Sequence, residues 1–260
     1  MNIFSDIFIF VVGLVFGSFA NVLIYRLPKN ISLLAPASFC PHCQKKIFWY
    51  DNIPLLGFLL LGGRCRFCKN KISLIYPAME LITALTFLAI KIKFWPDTLA
   101  ILFWCLFFLD LLVIAVIDYQ TRTIPDVLSL GLIPIGLIFS PVNSSLGTDI
   151  TERIFNSLAG IILNGLIMYL IALLAGRIFQ KEALGGGDIK LLSGLGAFLG
   201  FSNGLIVLFA GALAGSLIIL GLMITKKISR SDYFPFGPFL VIGSYLIVFV
   251  PRISGLLTFV

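Results

Sequence analysis

GGGDIKLLSGLGAFLG (residues 185–200) opens with three glycines and an acid, Asp188, and then runs on as an apolar segment. A carboxylate at the mouth of an apolar segment is unfavourable unless it is paired, protonated or doing chemistry. The segment is also short. As a helix over 190–201 it rises about 18 Å, less than the ~30 Å apolar core of a bilayer. Whether it counts as a membrane span sets the topology of the whole chain, because every later loop changes side with it.

The chain has 260 residues, of which 59% are hydrophobic and only 12% charged. So few charges cannot cover a soluble surface, and several apolar runs approach or exceed the ~18 residues that cross a bilayer. The ~10-residue alternation of a membrane β-barrel is absent. The expected fold class is an all-α polytopic membrane protein of about eight transmembrane helices, near 7–25, 77–90, 98–117, 127–141, 157–176, 190–201, 204–224 and 237–258. The start, MNIFSD, lacks the basic region of a cleaved signal, so the first span is expected to be retained.

Charge tests this count. With residue 1 outside, all 19 Lys and Arg residues fall on the inside except Lys91, Lys93, Arg153 and Arg252. Lys181, Lys226, Lys227 and Arg230 take part in that bias, and the last three would lie outside if 190–201 were not a span. The net charge of +7 thus reports orientation in a lipid bilayer, and no nucleic-acid partner is expected. The expected organisation is a first helix (1–27), a cytoplasmic insertion (28–76) and a transmembrane core (77–260).

The insertion carries CPHC (40–43) and RCRFC (64–68). Two Cys-x-x-Cys pairs separated by residues 44–64 have zinc-ribbon spacing, and each pair is a tight turn presenting two thiolates. Cys40, Cys43, Cys65 and Cys68 are therefore expected to hold a structural zinc ion. Cytoplasmic placement argues against stable disulfides. His42 is expected to face solvent, and Cys105 to be a small buried apolar residue.

The acids near membrane spans are Glu80, Asp110, Asp118, Asp126 and Asp188. Asp118 ends the third expected span and Asp188 begins the sixth, so both open on the cytoplasmic face. Pro125 fits the first position of a helix, and Asp126 its first turn, where the dipole favours an acid. Glu80 opens the second span as a structural or substrate-contacting acid, and Asp110 lies mid-span. Gly185 and Gly187 are expected to allow unusual dihedrals and close backbone approach beside Asp188. Neither a phosphate loop nor a dinucleotide turn has this spacing. Paired aspartates share a proton: one takes a proton from water, and the other polarises the scissile carbonyl. That is aspartic peptidase chemistry. The alternative is a cation or proton transporter with a zinc-stabilised loop.

These residues give the chain its likeness. GSFANVLIYRLP (17–28), the paired cysteine insertion, IDYQTRTIPD (117–126), GGGDIKLLSGLGAFLG (185–200) and FPFGPFL (234–240) together resemble the type IV prepilin peptidase family, membrane aspartic peptidases of the GxGD group. No motif position departs from the pattern. The resemblance implies Asp118 and Asp188 as the catalytic pair, with Asp126 secondary. It implies removal of basic leaders from prepilins and pseudopilins at the cytoplasmic face of the bacterial inner membrane. Members with the cysteine loop often also N-methylate the new terminus from S-adenosylmethionine. No Rossmann-type fingerprint marks a site for that cofactor. Lys190 stands two residues after Asp188, either helping to hold an aspartate ionised or anchoring at the interface.

Overall fold

The computed structural model describes residues 3–180, 185–225 and 234–250. Of the orienting charges, Lys181, Lys226, Lys227, Arg230 and Arg252 lie outside the described residues, as does the far end of the last expected span. Helices dominate the described chain, and pairing is limited to two isolated bridges, Phe39 with Lys46 and Arg64 with Lys71. Five helices are long and apolar enough to cross a membrane, and two shorter apolar helices accompany them. The chain divides into two compact units, Met1–Val113 and Ile114–Val260.

The first unit holds α1 (Ile3–Arg26), the short α2 (Leu56–Leu60), α3 (Ile75–Phe94) and most of α4 (Thr98–Thr121). The expected span at 77–90 lengthens to 20 residues, about 30 Å, which resolves its apparent shortness. Helices α1 and α3 meet at Gly13 and Gly17, one turn apart. A Cβ on Gly17 would lie 2.6 Å from the Glu80 Cα, and one on Gly13 would lie 2.5 Å from the Ala84 Cα. Small residues at this spacing let two backbones pack closely in lipid, where the hydrophobic effect supplies no drive for helix association. Lys91, expected at the outer end of α3, is buried and pairs with Asp6. Phe94 stacks on Trp104, which meets Phe107 edge-on.

The second unit contains the end of α4, then α5 (Asp126–Phe139), α6 (Ile150–Phe179), α7 (Gly186–Ile224) and α8 (Gly237–Phe249). The expected spans at 190–201 and 204–224 are the two parts of α7, which runs 39 residues but is broken at Gly200 (φ 76°, ψ −178°). The break leaves backbone carbonyls without their helical donors, and in an apolar interior each needs another partner. Three buried side chains supply them. Asn143 Nδ2 donates to the Phe198 carbonyl at 2.7 Å, Ser157 Oγ to Ala197 at 2.8 Å, and Asn164 Nδ2 to Gly200 at 3.2 Å. Helices α6 and α7 cross at Gly160 and Gly196, where a Cβ on either would overlap the other's carbonyl.

Candidate active site

Asp118 and Asp188 both belong to the second unit, and each is 5% exposed. Asp118 lies in the last turn of α4. The helix ends just beyond it: Arg122 takes a left-handed conformation (φ 57°) while its N–H bonds back to the Asp118 carbonyl at 2.8 Å. Asp188 sits in the first turn of α7, and its backbone N–H bonds to the Gly185 carbonyl at 3.1 Å. The chain thus delivers one carboxyl from a helix end and one from a helix start. The start of α7 rests on the connection that follows α4, at Gly187 against Ile124, which brings the two carboxyl-bearing helix ends to one place.

Their partners differ. Asp118 Oδ2 accepts the Gly237 N–H at 2.8 Å. Asp188 Oδ1 is buried and has no hydrogen-bond partner among the described residues. A buried carboxyl oxygen without a partner is a position where a water or a substrate group is wanted. Gly237 is not marked in the sequence as a functional position. It begins α8 within FPFGPFL, and a Cβ there would lie 2.7 Å from Asp118 Oδ2. The only local signal is a glycine between Phe236 and Pro238 at a helix start.

The glycine loop acts differently from expectation. Gly185 has ordinary extended dihedrals (φ −73°, ψ 147°), and Gly187 is helical with no positive φ. The role of Gly187 is close approach: a Cβ there would meet the Ile124 Cβ at 2.9 Å, so its absence lets the start of α7 rest on the α4–α5 connection. Lys190 pairs with Asp126, Nζ to Oδ1 at 2.7 Å, both partly exposed. The partner lies on another helix, and the sequence does not mark the pairing. Asp126 is in the first turn of α5, as expected, but Pro125 is the N-cap rather than the first helical residue.

The first unit carries the cysteines. The two knuckles repeat one geometry. Cys40 N–H bonds to the Lys45 carbonyl and Gln44 N–H to the Cys40 carbonyl. Cys65 N–H bonds to Asn70 and Lys69 N–H to Cys65. Gln44 and Lys69 both adopt the left-handed conformation, φ 59° and 58°. All four sulfurs lie within 4.8 Å of one another, and Cys40 Sγ is 3.9 Å from Cys68 Sγ. Sulfurs ~2.3 Å from a tetrahedral centre stand about 3.8 Å apart, so the set fits a metal site of four thiolates. Arg66 grips Asp51 through two bonds of 2.7 and 2.6 Å, and this holds the Asp51 carboxyl below the usual carboxylate range. His42 is exposed and Cys105 is buried, as expected.

Comparison with known proteins covers both units. Residues 11–94 match the Bacterial Peptidase A24 N-terminal domain, and residues 105–220 match the Type IV leader peptidase family. A prepilin leader peptidase/N-methyltransferase of Klebsiella pneumoniae is 44% identical over 200 residues, 75% of this chain and 85% of that protein. One of Aeromonas hydrophila is 35% identical over 273 residues, covering 94% of this chain and 89% of that protein. A type 4 prepilin-like proteins leader peptide-processing enzyme of Escherichia coli is 34% identical, covering 92% and 91%. No solved structure matches. By both matched regions and by full-length likeness, the chain belongs to the type IV leader peptidase family.

Proposed function

We propose that this chain is a membrane aspartic endopeptidase that removes the basic leader from type IV prepilins and pseudopilins, and then N-methylates the new terminus from S-adenosylmethionine. The observation that supports the peptidase reading is the placement of two buried aspartates, Asp118 and Asp188, where the start of α7 rests on the α4–α5 connection, with Asp188 Oδ1 unpartnered. Two such carboxyls share one proton. The ionised member accepts a proton from water as the oxygen attacks the scissile carbonyl. The protonated member donates to the carbonyl oxygen, and a proton then passes to the departing amine. Gly237 orients Asp118 through its N–H and leaves room for the carboxyl.

Orientation follows from charge: the N-terminus outside, and the aspartates at the cytoplasmic face. A prepilin carries its basic leader ahead of an apolar helix. With that helix in the bilayer, the junction lies at the same boundary. Gly185 leaves space beside the Asp188 carboxyl for an extended strand, the form in which a peptide exposes its carbonyls, whereas the room at Gly187 is taken by Ile124. Mass spectrometry of a prepilin incubated with the purified protein tests the reading. A shortened chain is expected, heavier by one methyl group when S-adenosylmethionine is added. An uncut prepilin refutes the peptidase reading, and a cut but unmethylated one refutes the methylation.

Zinc is the ion proposed for Cys40, Cys43, Cys65 and Cys68, on the fit of the four sulfurs to a tetrahedral site. Its role is to hold a segment too small to build a large core. Replacing Cys40 or Cys65 with serine is expected to release the metal, measurable by elemental analysis, and to raise protease sensitivity within 28–75. Leader cleavage is expected to stay within about threefold of the parent. A folded variant that loses all cleavage would place the knuckles in the peptidase site.

A further inference from the structure

Glu80 is a buried acid that peptide hydrolysis does not use. It lies on α3, 8% exposed. Its Oε2 accepts the Leu55 N–H at 2.8 Å, and the Ser18 hydroxyl also bonds to the carboxylate. Leu55 presents that N–H from a strained backbone (φ 59°, ψ −48°), a conformation rare for a branched side chain. Strain of this kind persists where the surroundings fix a functional geometry. Among the described residues no cation pairs with Glu80. Arg26, the basic residue of α1, gives its guanidinium to the carbonyls of Ser32, Leu33 and Pro36, and Arg66 is held by Asp51. A buried carboxyl bonded only to neutral donors lacks a fixed cationic partner, and a cationic ligand beside it would supply one.

Glu80 lines a cavity of about 340 Å³ lying wholly within the first unit, whose wall also carries Arg26, Lys45, Arg66 and Lys71. Asn21, Tyr25, Phe58 and Tyr76 share its wall with Glu80. Asn21 Nδ2 donates to the Tyr76 carbonyl at 3.1 Å, which fixes that side of the wall. The volume is in the range of sites that hold drug-sized ligands, about 300–1,000 Å³. A carboxylate beside aromatic ring surface is the combination that recognises an organic cation.

We propose that this cavity binds S-adenosylmethionine, with the Glu80 carboxylate against its sulfonium and the rings of Phe58 and Tyr76 lining the space around it. The inference rests on the methylation proposed above and assigns it a site in the first unit, whereas the aspartates belong to the second. In the transfer, the α-amino nitrogen of the processed chain forms a bond to the methyl carbon as the carbon–sulfur bond breaks. Positive charge moves from sulfur to nitrogen, and a neutral thioether leaves. Glu80 favours the charged donor over that neutral product.

Binding tests this without turnover. The full-length protein in detergent is titrated with S-adenosylmethionine and, separately, with S-adenosylhomocysteine, by calorimetry. The parent is expected to prefer the sulfonium by about tenfold or more. Glu80→Gln is expected to lose that preference and to bind the donor at least tenfold more weakly, with leader cleavage within about twofold of the parent. Phe58→Leu keeps the test open should Glu80→Gln not fold: it is expected to weaken donor binding severalfold and spare cleavage. Unchanged donor affinity in these variants overturns the assignment, as does ultraviolet crosslinking of labelled donor to residues 114–260. Unchanged donor affinity with a raised KM for the peptide also overturns it, because Glu80 would then serve the amine. A parent that binds no donor refutes the methylation reading and this site together. Donor binding by the parent that the variants share refutes the site alone.

Discussion

Asp118→Asn and Asp188→Asn are each expected to lower prepilin cleavage by more than ~10³-fold while leaving the protein folded. Proton transfer by a positioned side chain contributes ~10²–10⁴ in rate, and the pair acts as a unit through one shared proton. An amide keeps the shape of the acid but neither takes a proton from water nor gives one to a leaving amine. The structural consequences are mild. An asparagine at 118 still offers an oxygen to the Gly237 N–H. Both positions are buried, and an uncharged amide is easier to bury than a carboxylate. The melting temperature in detergent is therefore expected to match or exceed that of the parent. Asp126→Asn is the internal comparison: it weakens only a partly exposed pair with Lys190, worth about 0–1 kcal/mol, and cleavage should stay within about threefold. Substrate conversion followed by mass spectrometry, alongside thermal unfolding of each variant, checks all three. Either amide variant retaining a tenth of the parental rate would remove that aspartate from the chemistry.

The two aspartates stood out in the sequence because an apolar background makes an acid conspicuous, and because counting spans returns both to one membrane side. The cysteines were legible for a different reason: spacing alone encodes a pair of tight turns. Lys190 shows where this kind of reading stops. Span counting gives the side of the membrane on which a charge lies, but not which acid it meets there, and its partner is 64 residues away. Gly237 was illegible as a functional position because its importance is an overlap that a side chain would make with an oxygen 119 residues earlier. The dihedrals of Gly185 and Gly187 were expected to be unusual and are not. What matters at Gly187 is the room it leaves for Ile124, which only the packed chain shows. Hydropathy located 190–201 and 204–224 as separate apolar segments. The two are separate helices meeting at a kink, as that reading has it; hydropathy did not show that they join directly at Gly200, or that Asn143, Ser157 and Asn164 would complete the join.

That join carries the second large effect. Gly200→Ala is expected to destabilise the protein by about 1–3 kcal/mol, because φ 76° with ψ −178° is a region that only glycine occupies without strain. The added Cβ would also lie 3.1 Å from Leu146 Cδ2, a contact that a side-chain end can relieve, so backbone strain dominates. The chain has no cheap alternative. If residue 200 relaxed into regular helix, α7 would straighten into a rod of about 58 Å, nearly twice the ~30 Å apolar core. The carbonyls of Ala197, Phe198 and Gly200 would then take helical partners, and the side-chain donors of Asn143, Ser157 and Asn164 would be left buried and unpaired. Each such loss is worth about 1–3 kcal/mol. Strain or unpaired donors, the variant is less stable by either route. Asp188 lies on the same helix, so a displaced α7 also lowers cleavage. Gly221→Ala provides the contrast: nothing lies within 4 Å of the added Cβ, and alanine favours a helix over glycine by ~0.5–1 kcal/mol. It should be as stable as the parent or more so. The measurement is the apparent melting temperature of both variants in one detergent, with cleavage assayed in parallel. A Gly200→Ala protein that melts with the parent and cleaves at the parental rate would mean that the break at residue 200 does not form in the working enzyme.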